Sequence, residues 1–129
     1  MFTIDTIRRK LVVDITDTIN NELKKMQADE GICTIFVTHT TCALTTADLD
    51  PGTDLDMLDA FDKLIPKLEY RHPHNPHHVP DHILSSLIGT SLTIPVQNGE
   101  LILGIWQRVV LIEFDGPKER TVMVSFVKE

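Results

Sequence analysis

The sequence predicts an α+β fold, a single compact domain of layered mixed or antiparallel β-sheets with about three helices. Three observations lead there. Runs of β-branched residues bounded by turn signals fill the carboxy-terminal third. Helical periodicities interrupt the first two thirds without alternating one by one with strands, which disfavours a doubly wound α/β sheet. The length of 129 residues suits one domain, able to bury roughly two thirds of the unfolded chain's surface. With 42% hydrophobic and 24% charged residues the chain lies in the globular range, and residues 1–129 are read as one domain.

Phe2, Ile4 and Thr6 alternate with polar neighbours, and Leu11, Val13 and Ile15 alternate again after Arg8-Arg9-Lys10, which predicts two half-buried strands joined by a charged turn. Thr16 as N-cap and Asp17 in the first turn open a helix with the stripe Ile19, Leu23 and Met26, which Gly31 would end. Residues 32–37 are β-branched or aromatic except Cys33 and predict a buried strand ending at Thr38-His39-Thr40-Thr41, where side chains can leave the sheet and face a cleft. Asp50-Pro51-Gly52 is a turn signal. After it Leu55, Leu58, Phe61 and Ile65 recur at helical spacing while Asp54, Asp56, Asp59 and Asp62 make an acidic face.

Residues 67–80 carry three prolines and no periodicity, so they predict a loop. Pro80 suits the first position of a short third helix with Ile83, Leu84, Leu87 and Ile88 apolar and Gly89 at its end. Leu92, Ile94 and Val96 alternate, Asn98-Gly99 marks a hairpin turn, and 101–105 is the returning strand. Two further strands, 109–114 and 121–127, separated by Asp115-Gly116-Pro117-Lys118, complete a meander. The apolar density of these late strands exceeds what one small domain needs for its own core, so a subunit interface is expected.

Nineteen acidic against twelve basic residues give a net charge of −7, which argues against nucleic acid or an anionic membrane as partner. No stretch approaches the roughly 18 consecutive apolar residues of a membrane span, and the first ten residues hold no apolar signal core. Cys33 and Cys42 lack paired spacing, so neither a disulfide framework nor a zinc ribbon is supported. The expectation is a cytoplasmic protein in a reducing compartment. No GxGxxG or P-loop pattern occurs, which removes nucleotide binding by those devices.

Chemistry concentrates in the histidines. His72, His74, His77, His78 and His82 fall within eleven positions beside the acidic helix, and imidazole with carboxylate is what Zn(II), Fe(II), Mn(II) or Ni(II) sites use. The spacing is neither that of a zinc finger nor HExxH, and the alternative is a solvated loop that tolerates histidine. A helix start at Pro80 fixes the backbone of His82; His78 and His82 share a helical face only if that helix begins earlier. His39 is either a hydrogen-bonded strand-end residue or a functional one. Asp56 and Asp59 are metal-ligand candidates or the wet face of a helix. Glu113 interrupts an apolar run, either facing outward or as a partly buried carboxylate with a raised pKa. Trp106, the only tryptophan, reads as core before it reads as a stacking platform.

Three segments taken together resemble the YjbQ family, whose members are described as secondary thiamine-phosphate synthases. They are His39-Thr40-Thr41-Cys42-Ala43-Leu44-Thr45; Tyr70-Arg71-His72 with Pro80-Asp81-His82; and Ser91-Leu92-Thr93-Ile94-Pro95-Val96 through Gly99 to Gly104-Ile105-Trp106-Gln107. The match runs in unbroken order from about Thr16 to the end. The resemblance implies a layered α+β homotrimer with a cleft near subunit contacts. It implies a divalent metal site with His39, His72 and His82 as ligands, holding zinc in the purified protein, with Mg(II) or Mn(II) as alternatives for turnover. It matches Asp56, Glu113, Trp106 and Gln107 to family residues; Asp56, Glu113 and Gln107 are expected to be catalytic, and Thr40, Thr41, Trp106 and Arg108 are expected on the substrate-binding surface.

The activity so implied joins hydroxymethylpyrimidine diphosphate to a thiazole phosphate and releases pyrophosphate, so the expected partner is a phosphorylated heterocycle. Trp106 would stack on a ring, Gln107 would read its edge, and Arg71, Arg108 or Arg120 would attract phosphate. The alternative is a trimeric small-molecule or metal-binding protein without catalysis. The chain departs from the family pattern twice: Thr46-Ala47-Asp48 stands where members commonly have Asn-Glu-Asn, with one residue fewer, and His77-His78 where carboxylates often precede Pro-x-His.

Overall fold

Eight strands sort into two antiparallel sheets in the computed structural model, which describes all of residues 1–129. The strands are β1 (Phe2–Asp5), β2 (Leu11–Asp14), β3 (Gly31–Val37), β4 (Cys42–Ala47), β5 (Ser91–Gln97), β6 (Glu100–Leu101), β7 (Arg108–Glu113) and β8 (Glu119–Lys128). The helices are α1 (Thr16–Lys25), α2 (Thr53–Leu64) and α3 (Val79–Ile88). One sheet runs β1-β8-β3-β5-β6 and the other β2-β7-β4. The α+β expectation holds, with both sheets wholly antiparallel.

The burial pattern explains the layering. In β3, Cys33, Ile35 and Val37 point into a core shared with Ile19 and Leu23 of α1 and with Leu44, Val109 and Leu111 of the smaller sheet. On the opposite face of that sheet Ala43, Val110, Ile112 and Phe114 meet Leu84 of α3 and the half-buried Met57, Leu58 and Phe61 of α2. Strand β7 is therefore covered on both faces, the condition that produces an unbroken apolar run where a half-exposed strand would alternate. The order of layers is large sheet, α1-filled core, small sheet, then α2 and α3.

Four local expectations need correction. Thr16 does not cap α1: its hydroxyl accepts the Val109 N–H at 2.8 Å, tying the helix to β7, while the Asp14 carboxylate accepts the Thr16 N–H at 3.0 Å. Gly31 does not stop that helix, which ends where Gln27 takes φ 55° and the Ala28 N–H reaches the Leu23 carbonyl at 3.0 Å. Gly31 instead opens β3, where a Cβ would lie 2.1 Å from the Val127 carbonyl, so close strand approach requires glycine. Strand β4 was not legible, because Ala43, Leu44 and Ala47 give it no β-branched alternation. The predicted strand 101–105 pairs only at Glu100–Leu101 before a turn takes over.

The loop 67–80 contains a 3-10 turn at Pro76–His78, and α3 begins one residue before Pro80. The Asn98-Gly99 turn is formed with both residues at positive φ. Cys33 and Cys42 are free and buried, and burial pushes each thiol up to about 11. No helix is long and apolar enough to cross a membrane.

Candidate functional site

The segment Thr38–Thr41 joins β3 to β4 beside the β7–β8 turn, and a buried ion pair fixes it there. Glu113 and Arg120 are essentially without exposed side-chain surface. The Arg120 Nε donates to Glu113 Oε2 at 2.7 Å, a second contact joins Arg120 Nη2 to Glu113 Oε1, and Thr6 donates to Glu113 at 2.8 Å. The Arg120 Nη2 also donates to the Thr41 hydroxyl at 2.8 Å and to its carbonyl at 3.1 Å. Burial alone would raise the Glu113 carboxyl; the bonds from Arg120, the Asp115 N–H and Thr6 outweigh it and hold the group below its ordinary value. The raised pKa expected for a buried Glu113 is thus reversed, and Arg120 is spent inside the protein, so it does not attract phosphate at the surface. Thr41, expected on the substrate surface, is buried in the same network.

His39, half-buried, accepts the Thr121 N–H on Nε2 at 2.8 Å, which leaves the ring proton on Nδ1. Burial, then Arg120 and Lys118, lower its pKa against an opposing pull from Glu113. A histidine held neutral binds its proton less tightly in the folded chain than in the unfolded one. Its contribution to stability is therefore full above the unfolded value of about 6.5 and is lost as pH falls below it. Urea unfolding midpoints should drop between pH 7.5 and pH 5.5, and His39→Gln, whose amide oxygen can accept the same N–H, should flatten that drop. Equal pH slopes for the two chains would remove His39 from the account.

Two more histidines converge on this segment from α3 and the loop before it. The His82 Nδ1 lies 3.1 Å from the Thr40 carbonyl; a carbonyl only accepts, so in the neutral ring Nδ1 carries the proton and Nε2 keeps its lone pair. The His72 Nδ1 accepts the His74 N–H at 3.2 Å, which places the His72 proton on Nε2. The two rings stack with centroids 5.2 Å apart and planes 15° from parallel. Backbone contacts thus select the tautomer of each neutral ring: His39 and His72 offer N–H donors, and His82 offers an acceptor. His82 opens on a shallow hollow of about 400 Å³ with Ile83, Ser86 and Leu87. His78 turns away, its Nε2 lying 3.4 Å from Asp115 and 3.0 Å from Asn75 Nδ2, so His78 and His82 do not act as a pair although α3 starts early.

These residues do not fit a metal ion within one chain. No group of three or more His, Cys, Asp or Glu side chains is disposed to hold one. The physical reason is visible in the rings: lone pairs lie in the ring plane, so nearly parallel rings aim them alongside each other and not at a common point. His39 spends Nε2 on Thr121, and His72 presents a proton where a metal needs a lone pair.

The remaining expected site residues lie elsewhere. Asp56 is exposed on α2 and its side chain has no hydrogen-bond or ion-pair partner. Trp106, expected first in the core, is 69% exposed beside Ile105. The Gln107 side chain braces the same turn, accepting the Gly104 N–H at 3.0 Å and donating to the Thr46 hydroxyl at 3.0 Å. Arg108 is held by Asp14 at 2.8 Å and Asp17 at 3.2 Å. Arg108 and Glu113 terminate opposite ends of β7, about 17 Å apart at about 3.4 Å per residue. A single chain keeps the Trp106–Arg108 group apart from the histidines.

Comparison with known proteins adds to this geometry. The model of the family described as UPF0047 protein YjbQ-like matches residues 1–129. The chain belongs to the YjbQ-like UPF0047 family. A UPF0047 protein of Mycobacterium bovis is 36% identical over 132 residues, with 99% of each chain covered, and the UPF0047 protein YugU of Bacillus subtilis is 34% identical with 96% and 95% covered. Among solved structures, a YbjQ-like protein of unknown function from Sulfolobus solfataricus superposes with a TM-score of 0.91 at 31% identity, covering 99% of this chain and 94% of that one. A YjbQ/UPF0047 family protein from Clostridium acetobutylicum gives 0.88 at 32% identity, covering 98% of each.

In this YjbQ-like chain Thr6, read only as a strand residue, and Arg120, read as a phosphate-attracting one, hold the histidine segment through Glu113 and Thr41. Thr6 carries a signal, as a polar residue completing an apolar alternation at a strand edge. Arg120 carries one too, as the cation seven positions after a lone acid in an apolar run.

Proposed function

We propose that the protein is a small-molecule enzyme joining two phosphorylated heterocycles with release of pyrophosphate, the activity implied by its resemblance to secondary thiamine-phosphate synthases. The observation that supports it is the set of three fixed imidazoles, two presenting N–H donors and His82 presenting a lone pair. In such a reaction the thiazole nitrogen forms a bond to the pyrimidine methylene carbon, the carbon–oxygen bond breaks, and its electron pair leaves with pyrophosphate. Donors at His39 and His72 would stabilise the departing oxygens. His82 Nε2 would take a proton from the exocyclic amine of the pyrimidine as the leaving group departs and return it once the new carbon–nitrogen bond has formed. Mg(II) or Mn(II) would arrive as the counterion of the diphosphate and so belongs to the substrate.

Exposed Trp106 then has a use, as a stacking surface for a heteroaromatic ring, and Gln107 and Arg108 stand beside it. They reach the histidines only if a second copy supplies them, because β7 separates the two groups. The outer face of the large sheet offers the means. Ile32, Phe36, Met123 and Val127 are exposed there, and the register places Pro95, Ile32 and Val127 in one row and Ser91, Phe36 and Met123 in another. We propose that the apolar rows of this face pack in a homotrimer. Sedimentation should give a mass of about 44 kDa, three times the chain's 14.6 kDa, and Phe36→Asp should shift it toward the monomer. A monomeric native chain at micromolar concentration would remove the shared site.

The direct test is pyrophosphate release from hydroxymethylpyrimidine diphosphate and thiazole phosphate with Mg(II), on protein purified without a histidine tag. Release above the no-enzyme rate supports the reading. A rise in melting temperature with both substrates but no release would assign a non-catalytic binding protein instead. Stoichiometric zinc in the same preparation, lost in His82→Ala, would overturn the metal-free histidine site.

A further inference from the structure

A separate cleft of about 790 Å³ lies between the β1–β2 turn, the end of α2 and the start of α3. That volume is within the roughly 300–1,000 Å³ of small-molecule sites. None of His39, His72 and His82 lines it; its charged wall is Arg9, Lys10, Lys67, Asp62, Glu69 and Asp81, with His77 and Tyr70 among the residues closing it. Four of these charges are paired by sign. Arg9 Nη2 meets Asp81 Oδ2 at 3.3 Å, with Arg9 half exposed and the Asp81 side chain only 3% exposed. Lys10 meets Asp62 at 2.7 Å. Lys67 and Glu69 have no ion-pair partner.

The Arg9–Asp81 contact decides the ligand. At 3.3 Å it is longer than the roughly 2.7–2.9 Å of a tight charge-assisted hydrogen bond, and it uses one nitrogen of the guanidinium and one oxygen of the carboxylate. Arg9 keeps four of its five N–H donors, and Asp81 Oδ1 has no hydrogen-bond donor; as no buried side-chain oxygen or nitrogen lacks a partner, it is the edge of the carboxylate left open. A carboxylate with one open acceptor, next to a guanidinium with spare donors, is the complement of a molecule carrying an anion and a protonated nitrogen a few ångströms apart. A simple anion would gain Arg9 and be repelled by Asp81; a simple amine would gain Asp81 and be repelled by Arg9. We propose that this cleft binds a small zwitterion of the α-amino-acid type, its carboxylate on Arg9, its ammonium on Asp81, and its side chain along Tyr70 toward Lys67 and Glu69. This site is independent of His39, His72 and His82 and of the reaction proposed for them.

The test is a two-dimensional ¹⁵N–¹H NMR titration of the full chain with each of the twenty free L-α-amino acids, and with acetate and methylamine as single-charge probes. At least one amino acid should give saturable shifts at the amides of Arg9, Glu69, Tyr70 and Asp81, at least tenfold tighter than acetate or methylamine. Arg9→Gln, at a half-exposed position that leaves the core intact, should weaken binding at least tenfold, as should Asp81→Asn where it folds. His82→Ala should bind as the native chain does, which keeps failure here distinct from failure of the proposed reaction. No saturation with any amino acid overturns the proposal. So does acetate binding as tightly as the amino acids, or shifts centred on Thr40 and His82.

Discussion

Arg120→Ala is expected to destabilise the protein by about 3–5 kcal/mol, the cost of stranding one member of a buried ion pair. Glu113 has no exposed side-chain surface, and its charge is tolerated because Arg120, Thr6 and the Asp115 N–H all bond to it. Deleting the guanidinium leaves a carboxylate that must ionise without its strongest partner or take up a proton. Against a typical total of about 5–15 kcal/mol, either route consumes a large share. The sign with pH follows from the lowered Glu113 pKa: the pair's contribution is present above the unfolded carboxyl value and is lost as pH falls through the folded one. Urea unfolding at pH 7 measures the effect. Combining Arg120→Met with Glu113→Leu should recover part of it but not all. The Thr41 carbonyl and hydroxyl would still lack the donor that Arg120 supplies, whereas Thr6 keeps the Lys118 N–H at 2.9 Å. A single-variant loss below about 1 kcal/mol would mean that water already shares the pair.

The same pair explains what sequence could and could not reveal. Strands with an exposed face, such as β3 and β5, announce themselves by alternation, and the hairpin at Asn98-Gly99 by its turn chemistry. Strand β7 is recognisable as buried on both sides because nothing polar interrupts it until Glu113. Strand β4 hides because its alanines and leucine carry no pattern, and its place depends on pairing with β7, a contact between residues more than sixty positions apart. Site residues divide along the same line. His39, His72 and His82 are visible as residue types, yet their ring tautomers depend on backbone groups of Thr121, His74 and Thr40 that no local pattern encodes. Trp106 was misplaced because a lone tryptophan is usually buried, and only the turn after β6 explains its exposure. The separation of Trp106–Arg108 from the histidines is also a tertiary fact: the sequence places these residues in one family pattern, and the length of β7 divides them.

His82 carries the largest expected effect on chemistry. Its Nδ1–H is spent on the Thr40 carbonyl, so in the neutral rings Nε2 of His82 is the one imidazole nitrogen of the three with a free lone pair. A base positioned this way is worth about 10²–10⁴ in rate. His82→Ala should therefore cut pyrophosphate release by about 10²-fold or more, chiefly in kcat. His82→Asn is the sharper variant, since its amide N–H can still donate to Thr40 and hold the α3 start in place while offering no base. It should keep the native melting temperature and lose the same rate. His72→Gln retains a side-chain N–H donor and should lose less, about tenfold, because a donor to a leaving oxygen is replaceable where a base is not. The ordering of the three variants separates the roles. Full activity in His82→Asn would show that the ring acts only by holding Thr40, and the reaction would then have to be sought at the Trp106 end of β7.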